Sequence, residues 1–413
     1  MAEGISARGA AVALLNAVLD EGQMLSQIPP TEGLSGPDRA RAERLAADVL
    51  RNLDRADRVL KPLLRKQPPL AVLNVLRLAV VERSHGTAAH GVVNEAVGLM
   101  RAGRRTQHMA GLVNAVLRAL PDPVDLARMP APMLPRWLRQ PMVHAYGRDA
   151  VAAIEAAQAQ TPATDITPKA RATDLPEGLA LPTGSVRLAA GGQITALPGY
   201  AAGDWWVQDA AAALAARLLA AQPGEAVLDL CAAPGGKTLQ LADAGAQVTA
   251  LDISGPRMAR LRENLGRTGL QAELVVADVM QWQPDHRFDA VLLDAPCSAS
   301  GTIRRHPDLP FIKDGSEIEA LTALQSALID RALGWLKPGG RLVFCTCSLL
   351  PAEGEDQLAA ALARHPGLRV DRPALTGIDD AWITPEGGLR LRPDYWAEAG
   401  GMDGFFMARL TAP

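Results

Sequence analysis

Residues 227–238 restrict the fold more than any other part of the sequence. They read Val-Leu-Asp-Leu-Cys-Ala-Ala-Pro-Gly-Gly-Lys-Thr, a pattern typical of a buried strand, a turn of small residues and the start of a helix. Gly235 and Gly236 allow the backbone to approach a ligand and leave amide donors at the helix N-terminus. The segment therefore predicts an α/β unit whose loop holds a ligand with a carboxylate or another anionic group.

Two common nucleotide-binding loops do not match this segment. The dinucleotide pattern G-x-G-x-x-G and the P-loop pattern G-x-x-x-x-G-K-[ST] differ from it, because Pro234 alone separates Ala233 from the glycine pair. A nicotinamide-dependent dehydrogenase is therefore disfavoured.

Strand and helix patterns alternate after residue 205, as in a doubly wound sheet. The predicted strands are 226–230, 247–252, 272–276, 290–294 and 341–346, and the predicted helices are 237–244, 254–267 and 317–336. A last apolar run, 404–410, has no helix after it, which suggests an edge strand inserted antiparallel.

Acidic residues lie at the ends of four consecutive strands of this predicted sheet. They are Asp229, Asp252, Asp278 and Asp294. Carboxylates at the carboxyl edge of such a sheet favour a bound nucleoside, and Asp252 stands where an acid can hold both hydroxyls of a ribose. Helix capping is the alternative for any one of them. Lys237 in the first turn of a helix is unfavourable unless a ligand carboxylate faces it.

The first 120 residues have helical periodicity throughout, which predicts an all-α bundle of about five helices. The prolines of residues 121–135 indicate a linker, and residues 161–202 have short strand patterns. The expected domains are a helical domain at 1–125, a small α+β connector at 126–204 and the α/β domain at 205–413.

Charge is distributed unevenly along the chain. The net charge is −3, yet residues 1–120 contain 16 Lys and Arg against 11 Asp and Glu. A polyanion is thus expected to meet the helical domain first, where arginines as a group could follow an RNA backbone. No apolar stretch reaches the ~20 residues of a membrane span, and no secretory signal is recognisable, so we expect a cytoplasmic protein that does not bind membranes.

The four cysteines are Cys231, Cys297, Cys345 and Cys347, too few for a disulfide framework in 413 residues. Cys297 and Cys347 lie in loops that leave the same predicted sheet edge as residues 231–237. They can therefore converge on one pocket. No zinc-like spacing with histidines is present, and we expect no metal.

Three motifs in this order, Asp-Leu-Cys-Ala-Ala-Pro-Gly-Gly-Lys-Thr, Asp-Ala-Pro-Cys-Ser and Thr-Cys-Ser, resemble the Sun/Fmu family of S-adenosylmethionine-dependent RNA cytosine-C5 methyltransferases. Residues 6–120 resemble the NusB-type RNA-binding domain that is fused to the bacterial rRNA enzymes. The resemblance implies a NusB-like bundle followed by a Rossmann-like class I methyltransferase domain.

The resemblance also implies the site residues. Cys231, Ala232, Ala233, Pro234, Gly235, Gly236 and Lys237 would hold the methionine part of S-adenosylmethionine, Asp252 the ribose and Asp278 the adenine. Asp294 would lie between cofactor and base. Cys347 would be the nucleophile and Cys297 the residue that assists product release, while the position of Cys345 is not catalytic in the family.

The implied partner is RNA, most simply 16S rRNA or a small-subunit assembly intermediate, bound by a monomer. Two alternatives remain, a tRNA cytosine-C5 methyltransferase and a non-catalytic RNA-binding assembly protein. Arg304, Arg305 and His306 could contact phosphate or lie in a solvated loop. Trp205 and Trp206 could stack on a base or be buried in the connector.

Overall fold

The computed structural model describes residues 6–189 and 193–413. Residues 1–5, at the start of the predicted helical domain, and residues 190–192, in the predicted connector, lie outside the described residues. The chain forms two compact units. The helical unit comprises the residues up to Arg139 together with Arg148–Thr161 and Ile303–Asp314, and the sheet unit comprises Gln140–Gly147, Pro162–Thr302 and Gly315–Pro413.

The helical unit begins with a bundle whose first two helices start at polar caps. Ser6 and Ser35 each accept a hydrogen bond from a backbone amide of the first helical turn, which satisfies a donor that the helix leaves unpaired. The bundle helices are α1 Ala7–Leu19, α2 Gly36–Arg51, α3 Leu53–Leu60, α4 Leu70–Ser84, α5 Ala89–Ala102 and α6 Ala110–Arg118. Residues 72–82 of α4 are all buried, so this helix forms the centre of the core.

The proline-rich segment at 121–135 has neither helix nor strand, yet it packs on the bundle through the buried side chains of Val124 and Leu126. Two helices follow it, α7 Arg136–Tyr146 and α8 Arg148–Gln158.

A segment from much later in the sequence completes the helical unit. The Arg51 guanidinium donates to the carbonyl of Arg304 at 2.8 Å, and the Leu25 amide donates to the Asp308 carboxylate at 2.8 Å. The short helix α12, Leu309–Ile312, lies next to α1.

A small antiparallel sheet opens the sheet unit. Its strands are β1 Asp165–Pro168, β2 Gly178–Ala180, β3 Val186–Leu188 and β4 Trp205–Val207, in the order β2-β3-β1-β4. Trp205 and Trp206 are buried here. Of the two alternatives for these residues, burial in the connector is confirmed.

The larger sheet confirms the predicted α/β fold class. Its strands are β5 Ala226–Leu230, β6 Gln247–Asp252, β7 Glu273–Val276, β8 Phe288–Asp294, β9 Leu336–Thr346, β10 Arg369–Asp371, β11 Leu389–Leu391 and β12 Phe405–Thr411. The main order is β10-β12-β9-β8-β5-β6-β7, with β11 paired to β12. The pairs among β5–β9 are parallel, and those of β12 are antiparallel. The helices are α9 Ala210–Leu219, α10 Gly236–Asp243, α11 Gly255–Thr268, α13 Ile318–Gly334 and α14 Glu355–Arg364.

The last strand corrects one expectation. It is antiparallel as predicted, but it is not at the edge, because β10 pairs with its outer side. β10 and β11 have only three residues each, too few for a periodicity that sequence could reveal.

The sheet also places the site. β5 lies between β6 and β8, so the chain order reverses at the gap between β5 and β8. Ligands of open α/β sheets bind outside the carboxyl ends of strands at such a point. The loops after β5, β8 and β9 leave from this edge.

Candidate active site

The loop after β5 is tightly constrained. Cys231 and Gly235 have φ values of 59° and 106°, and α10 begins at Gly236. A Cβ atom on Gly235 would lie 2.1 Å from the Leu261 side chain of α11. Glycine is thus required at 235 by backbone conformation and by helix packing, a reason within the protein that the sequence alone did not reveal.

Asp252 ends β6 beside this loop. Its carboxylate accepts hydrogen bonds from the amides of Ala233 at 3.1 Å and Ser254 at 2.8 Å, and it is only 2% exposed. The Arg257 guanidinium lies 3.4 Å from it, on a side chain that is 53% exposed. A ribose at Asp252 would therefore take the place of a partly exposed partner, the Arg257 guanidinium.

Asp278 lies two residues beyond β7. It accepts from the Met280 amide at 2.8 Å and from the Gln281 side chain at 3.2 Å, so it caps the following turn. Asp278 therefore acts as a cap, which is the alternative to ligand binding for each of these aspartates. Its side chain remains half-buried, and a carboxylate has further acceptor capacity.

Asp229 lies inside the sheet, one residue before the end of β5. One of its oxygens accepts from the Thr238 hydroxyl at 2.6 Å, and the other has no hydrogen-bond partner within the described part of the chain. Burial raises the pKa of this carboxyl to about 7. Among residues 6–189 and 193–413, this buried oxygen is therefore an acceptor that no side chain or backbone group uses.

Lys237 forms an ion pair with Asp294, the last residue of β8. Its ammonium lies 2.7 Å from the carboxylate, and the lysine is 8% exposed. Burial alone would lower the pKa of Lys237, but the charges of Asp294 and its neighbours outweigh it, so the pKa is raised. The cation expected to face a ligand carboxylate therefore has a protein partner.

Cys345 belongs to the same cluster. It is fully buried in β9, and its thiol donates to the other oxygen of Asp294 at 3.5 Å. Burial raises the pKa of the Cys345 thiol. A sealed, protonated thiol of this kind is a packing group rather than a nucleophile.

Cys297 and Cys347 come together at the same edge. Cys297 follows β8 and Cys347 follows β9, both are half-buried, and their sulfurs lie 3.4 Å apart. The hydrogen bond to Cys347, together with burial, raises the pKa of Cys297. Cys297 therefore keeps its proton and can donate it to a neighbouring thiolate.

Sequence reasoning missed several residues that hold these loops. Glu353 is buried and contacts the serines next to both cysteines. Arg390 donates to the carbonyl of Ser348, and the Tyr146 hydroxyl donates to the carbonyl of Leu349 at 2.7 Å. The serine after each cysteine was a possible signal for Glu353, but nothing in the sequence links positions 146 and 390 to residue 347.

The basic residues after the Cys297 loop depart from their prediction. Arg304 is 1% exposed and His306 is half-buried, with burial lowering the pKa of His306. The expectation of a phosphate-contacting or solvated Arg304 is wrong, because the side chain is enclosed.

Over residues 6–189 and 193–413, no helix is both long and apolar enough to span a bilayer. The same residues contain no group of three or more histidine, cysteine or acidic side chains placed to share a metal ion.

Comparison with known proteins agrees with this arrangement. The family model "16S rRNA methyltransferase RsmB/F" matches residues 216–411, and the model "NusB family" matches residues 5–122. The "Ribosomal RNA small subunit methyltransferase B" of Cronobacter sakazakii is 35% identical and covers 99% of both chains, and that of Serratia proteamaculans is 37% identical over 90% of this chain and 93% of its own.

A solved structure supports the same assignment. The "Methyltransferase Homolog Protein from Pyrococcus Horikoshii" has a TM-score of 0.56 at 27% identity and covers 66% of this chain and 94% of its own. Since the similarity to named relatives extends over both units, the chain belongs to the RsmB/F family of small-subunit ribosomal RNA methyltransferases and is an S-adenosylmethionine-dependent RNA methyltransferase.

Proposed function

We propose that this chain transfers a methyl group from S-adenosylmethionine to C5 of a cytosine in 16S rRNA, through a temporary bond between Cys347 and C6 of the base. The observation that carries the proposal is the pair of half-buried thiols, 3.4 Å apart, beside the Asp294 loop. This chemistry needs one nucleophile and one group that assists release. A non-catalytic RNA-binding protein needs neither.

The residues around the loop suit the cofactor. Residues 231–237 would hold its methionine part, Asp252 would accept hydrogen bonds from the ribose hydroxyls, and Asp278 would contact the adenine. Asp229 has a buried oxygen without a hydrogen-bond partner in the described part of the chain, an acceptor fit for a donor group of the ligand. Bound S-adenosylmethionine supplies a methyl group that is activated by its sulfonium charge.

Cys347 makes and breaks the bond to the base. Its thiolate would add to C6, and the electrons of the C5–C6 double bond would become available at C5 for the methyl group that S-adenosylmethionine would supply when bound. The proton at C5 would leave to a base, the double bond would re-form, and Cys347 would depart as a thiolate. We assign to Cys297 the task of assisting that last step, directly or through water.

Asp294 orients the base. Lys237 donates to one oxygen of Asp294 at 2.7 Å, and the carboxyl group has further capacity to accept a hydrogen bond from the exocyclic amino group of cytosine. Hydrogen bonding at N3 would stabilise the adduct, and we assign that task to Asp294.

The target cytosine must leave its stack, since attack at C6 occurs from the face of the ring. Flipping costs a few kcal/mol and least in single-stranded or strained RNA. A loop or junction of 16S rRNA is therefore the expected substrate, and the relatives carry the name of small-subunit rRNA enzymes.

The test uses purified protein, 16S rRNA and S-adenosylmethionine with a labelled methyl group. Cys347→Ala should abolish methyl transfer, whereas Cys297→Ala should leave a covalent RNA–protein complex that survives a denaturing gel. Cys345→Ala is the matched control and should form product without a trapped complex. Trapping by Cys347→Ala and normal turnover by Cys297→Ala would reverse the two roles.

Substrate choice is tested separately. Bisulfite sequencing of rRNA and tRNA from cells that lack the protein should show one lost 5-methylcytosine in 16S rRNA. A loss confined to tRNA would contradict the rRNA assignment and leave the cysteine chemistry intact.

A further inference from the structure

Glu353 is a buried carboxylate that the proposed chemistry does not use. It ends a short turn, Pro351–Glu353, that follows the Cys347 loop, and it is 0% exposed. A buried carboxylate is costly unless hydrogen bonds replace its water. Its contacts therefore indicate what it stabilises.

One carboxylate joins the two cysteine loops. Its first oxygen accepts from the Ser298 amide at 2.8 Å, and its second accepts from the hydroxyls of Ser298 and of Ser348, the latter at 2.6 Å. Ser298 follows Cys297 directly, and Ser348 follows Cys347 directly. Gln325 donates to the first oxygen at 3.1 Å, so four donors satisfy the carboxylate.

The same loops are joined again on the far side of this carboxylate. The Ser300 hydroxyl accepts from the Leu349 amide at 2.9 Å and lies 3.2 Å from the Ser348 hydroxyl. The backbone adds a direct link, because the Gly301 amide donates to the carbonyl of Cys347 at 2.9 Å.

We propose that Glu353 is a positioning residue whose carboxylate fixes the Cys297 loop against the Cys347 loop and thereby sets the spacing of the two sulfurs. The inference deepens the proposed function, on which its kinetic part rests. The charge of Glu353 also contributes to the raised pKa of Cys297, which keeps that thiol protonated as a donor.

Two substitutions separate geometry from charge. Glu353→Gln keeps the shape, and its amide can donate to the two serine hydroxyls, which can turn to accept. We expect its single-turnover methylation rate to stay within about tenfold of the unmodified protein. Glu353→Ala removes the link, and we expect a loss of about 100-fold or more, the scale of misplacing reacting groups by 1 Å, with the KM for S-adenosylmethionine nearly unchanged.

A second readout reports sulfur spacing without RNA. Phenylarsine oxide bridges two neighbouring thiols, forming two As–S bonds and releasing one water. The unmodified protein and Glu353→Gln should bind one equivalent tightly, and Glu353→Ala should bind at least about tenfold more weakly. Cys297→Ser gives the background. Asp165→Asn disturbs another buried carboxylate, paired with Arg187, and should lower stability without changing arsenical binding.

The outcomes separate this inference from the proposed function. Arsenical binding that is unchanged in Glu353→Ala would overturn the positioning role. Loss of that binding, in a protein whose unmodified form methylates no RNA, would support the positioning role and contradict the proposed function. If Glu353→Ala does not melt cooperatively, Ser348→Ala decides, because it removes one of the four donors to the carboxylate, together with the contacts of that hydroxyl to Ser300 and to the Leu350 amide: weaker arsenical binding supports the role, and unchanged binding overturns it.

Discussion

The sulfur of Cys297 lies 3.4 Å from the sulfur of Cys347. That distance permits a hydrogen bond and is far longer than the roughly 2.05 Å of a disulfide. This contact, together with burial, raises the pKa of the Cys297 thiol. A protonated Cys297 can therefore donate a hydrogen bond to the sulfur of Cys347.

This spacing makes the pair sensitive to oxidation. Mild hydrogen peroxide should oxidise one thiolate to a sulfenic acid. The other thiol should then attack the sulfenic sulfur, which releases water and forms a Cys297–Cys347 disulfide. The rate of methyl transfer should fall as the disulfide forms, and it should recover when dithiothreitol reduces the disulfide. Peptide mapping by mass spectrometry identifies the bond, Cys345→Ala should behave like the unmodified protein, and a disulfide to Cys231 would contradict the expectation.

Loss of the Lys237–Asp294 ion pair should destabilise the sheet unit. Breaking a fully buried pair costs about 3–5 kcal/mol, and because Asp294 retains 30% side-chain exposure we expect about 2 kcal/mol for Lys237→Met after allowing for solvent screening. Urea denaturation measures the change. The more exposed Lys337–Asp289 pair is the control, and Lys337→Met should cost less than about 0.5 kcal/mol.

Asp229 should make stability depend on pH. Its folded pKa of about 7 lies above its ordinary value of 3.8, so the folded state binds the extra proton between these values. The contribution of Asp229 to the free energy of unfolding is therefore greatest below pH ~4. It falls as the pH rises from there through 7 and stays low above that, and the total loss has an upper bound of roughly 4 kcal/mol.

The neutral mimic tests that dependence. The side chain of the Asp229→Asn variant cannot ionise. The melting temperature of this variant, relative to that of the unmodified protein, should therefore rise between pH 5 and pH 8. Parallel pH profiles for the two proteins would show that Asp229 does not titrate in this range.

Gly301 should not tolerate a side chain. A Cβ atom there would lie 2.0 Å from the carbonyl oxygen of Gly404, and backbone on both sides leaves no flexible group to yield. Gly301→Ala should therefore displace the Cys297 loop and lower both the melting temperature and the methylation rate. Gly266→Ala in α11, where a Cβ meets nothing within 4 Å, should instead add roughly 0.5–1 kcal/mol of stability. Equal behaviour of the two variants would contradict this interpretation.

Sequence alone predicted the fold class because periodicity and loop chemistry agree in the long elements. β5 and β6 match their predicted bounds, whereas β8 and β9 begin earlier than predicted, at Phe288 and Leu336. Strand starts are poorly defined because a polar residue such as Asp289 can be accommodated in the ladder once neighbouring strands supply partners, as Lys337 does at 2.7 Å.

The sequence predicted which cysteines lie together at the site, but not the residues that hold their loops in place. Cys297 and Cys347 follow parallel strands, and topology brings the ends of such strands together. Glu353 and Arg390 act through contacts across many residues of sequence, which no local pattern encodes. The cover of Arg257 over Asp252 likewise depends on side-chain geometry rather than on residue type.

The discontinuous helical unit has a consequence during protein synthesis. Arg304, Asp308 and α12 join a bundle whose other members end before residue 162, so a ribosome must first make β1–β8. Synthesis proceeds at about 5–20 residues per second. The surface of α1 and α2 that packs against this segment therefore stays open to solvent for roughly 10–30 s. A nascent chain therefore exposes an unfinished surface to chaperones until translation has passed residue 314.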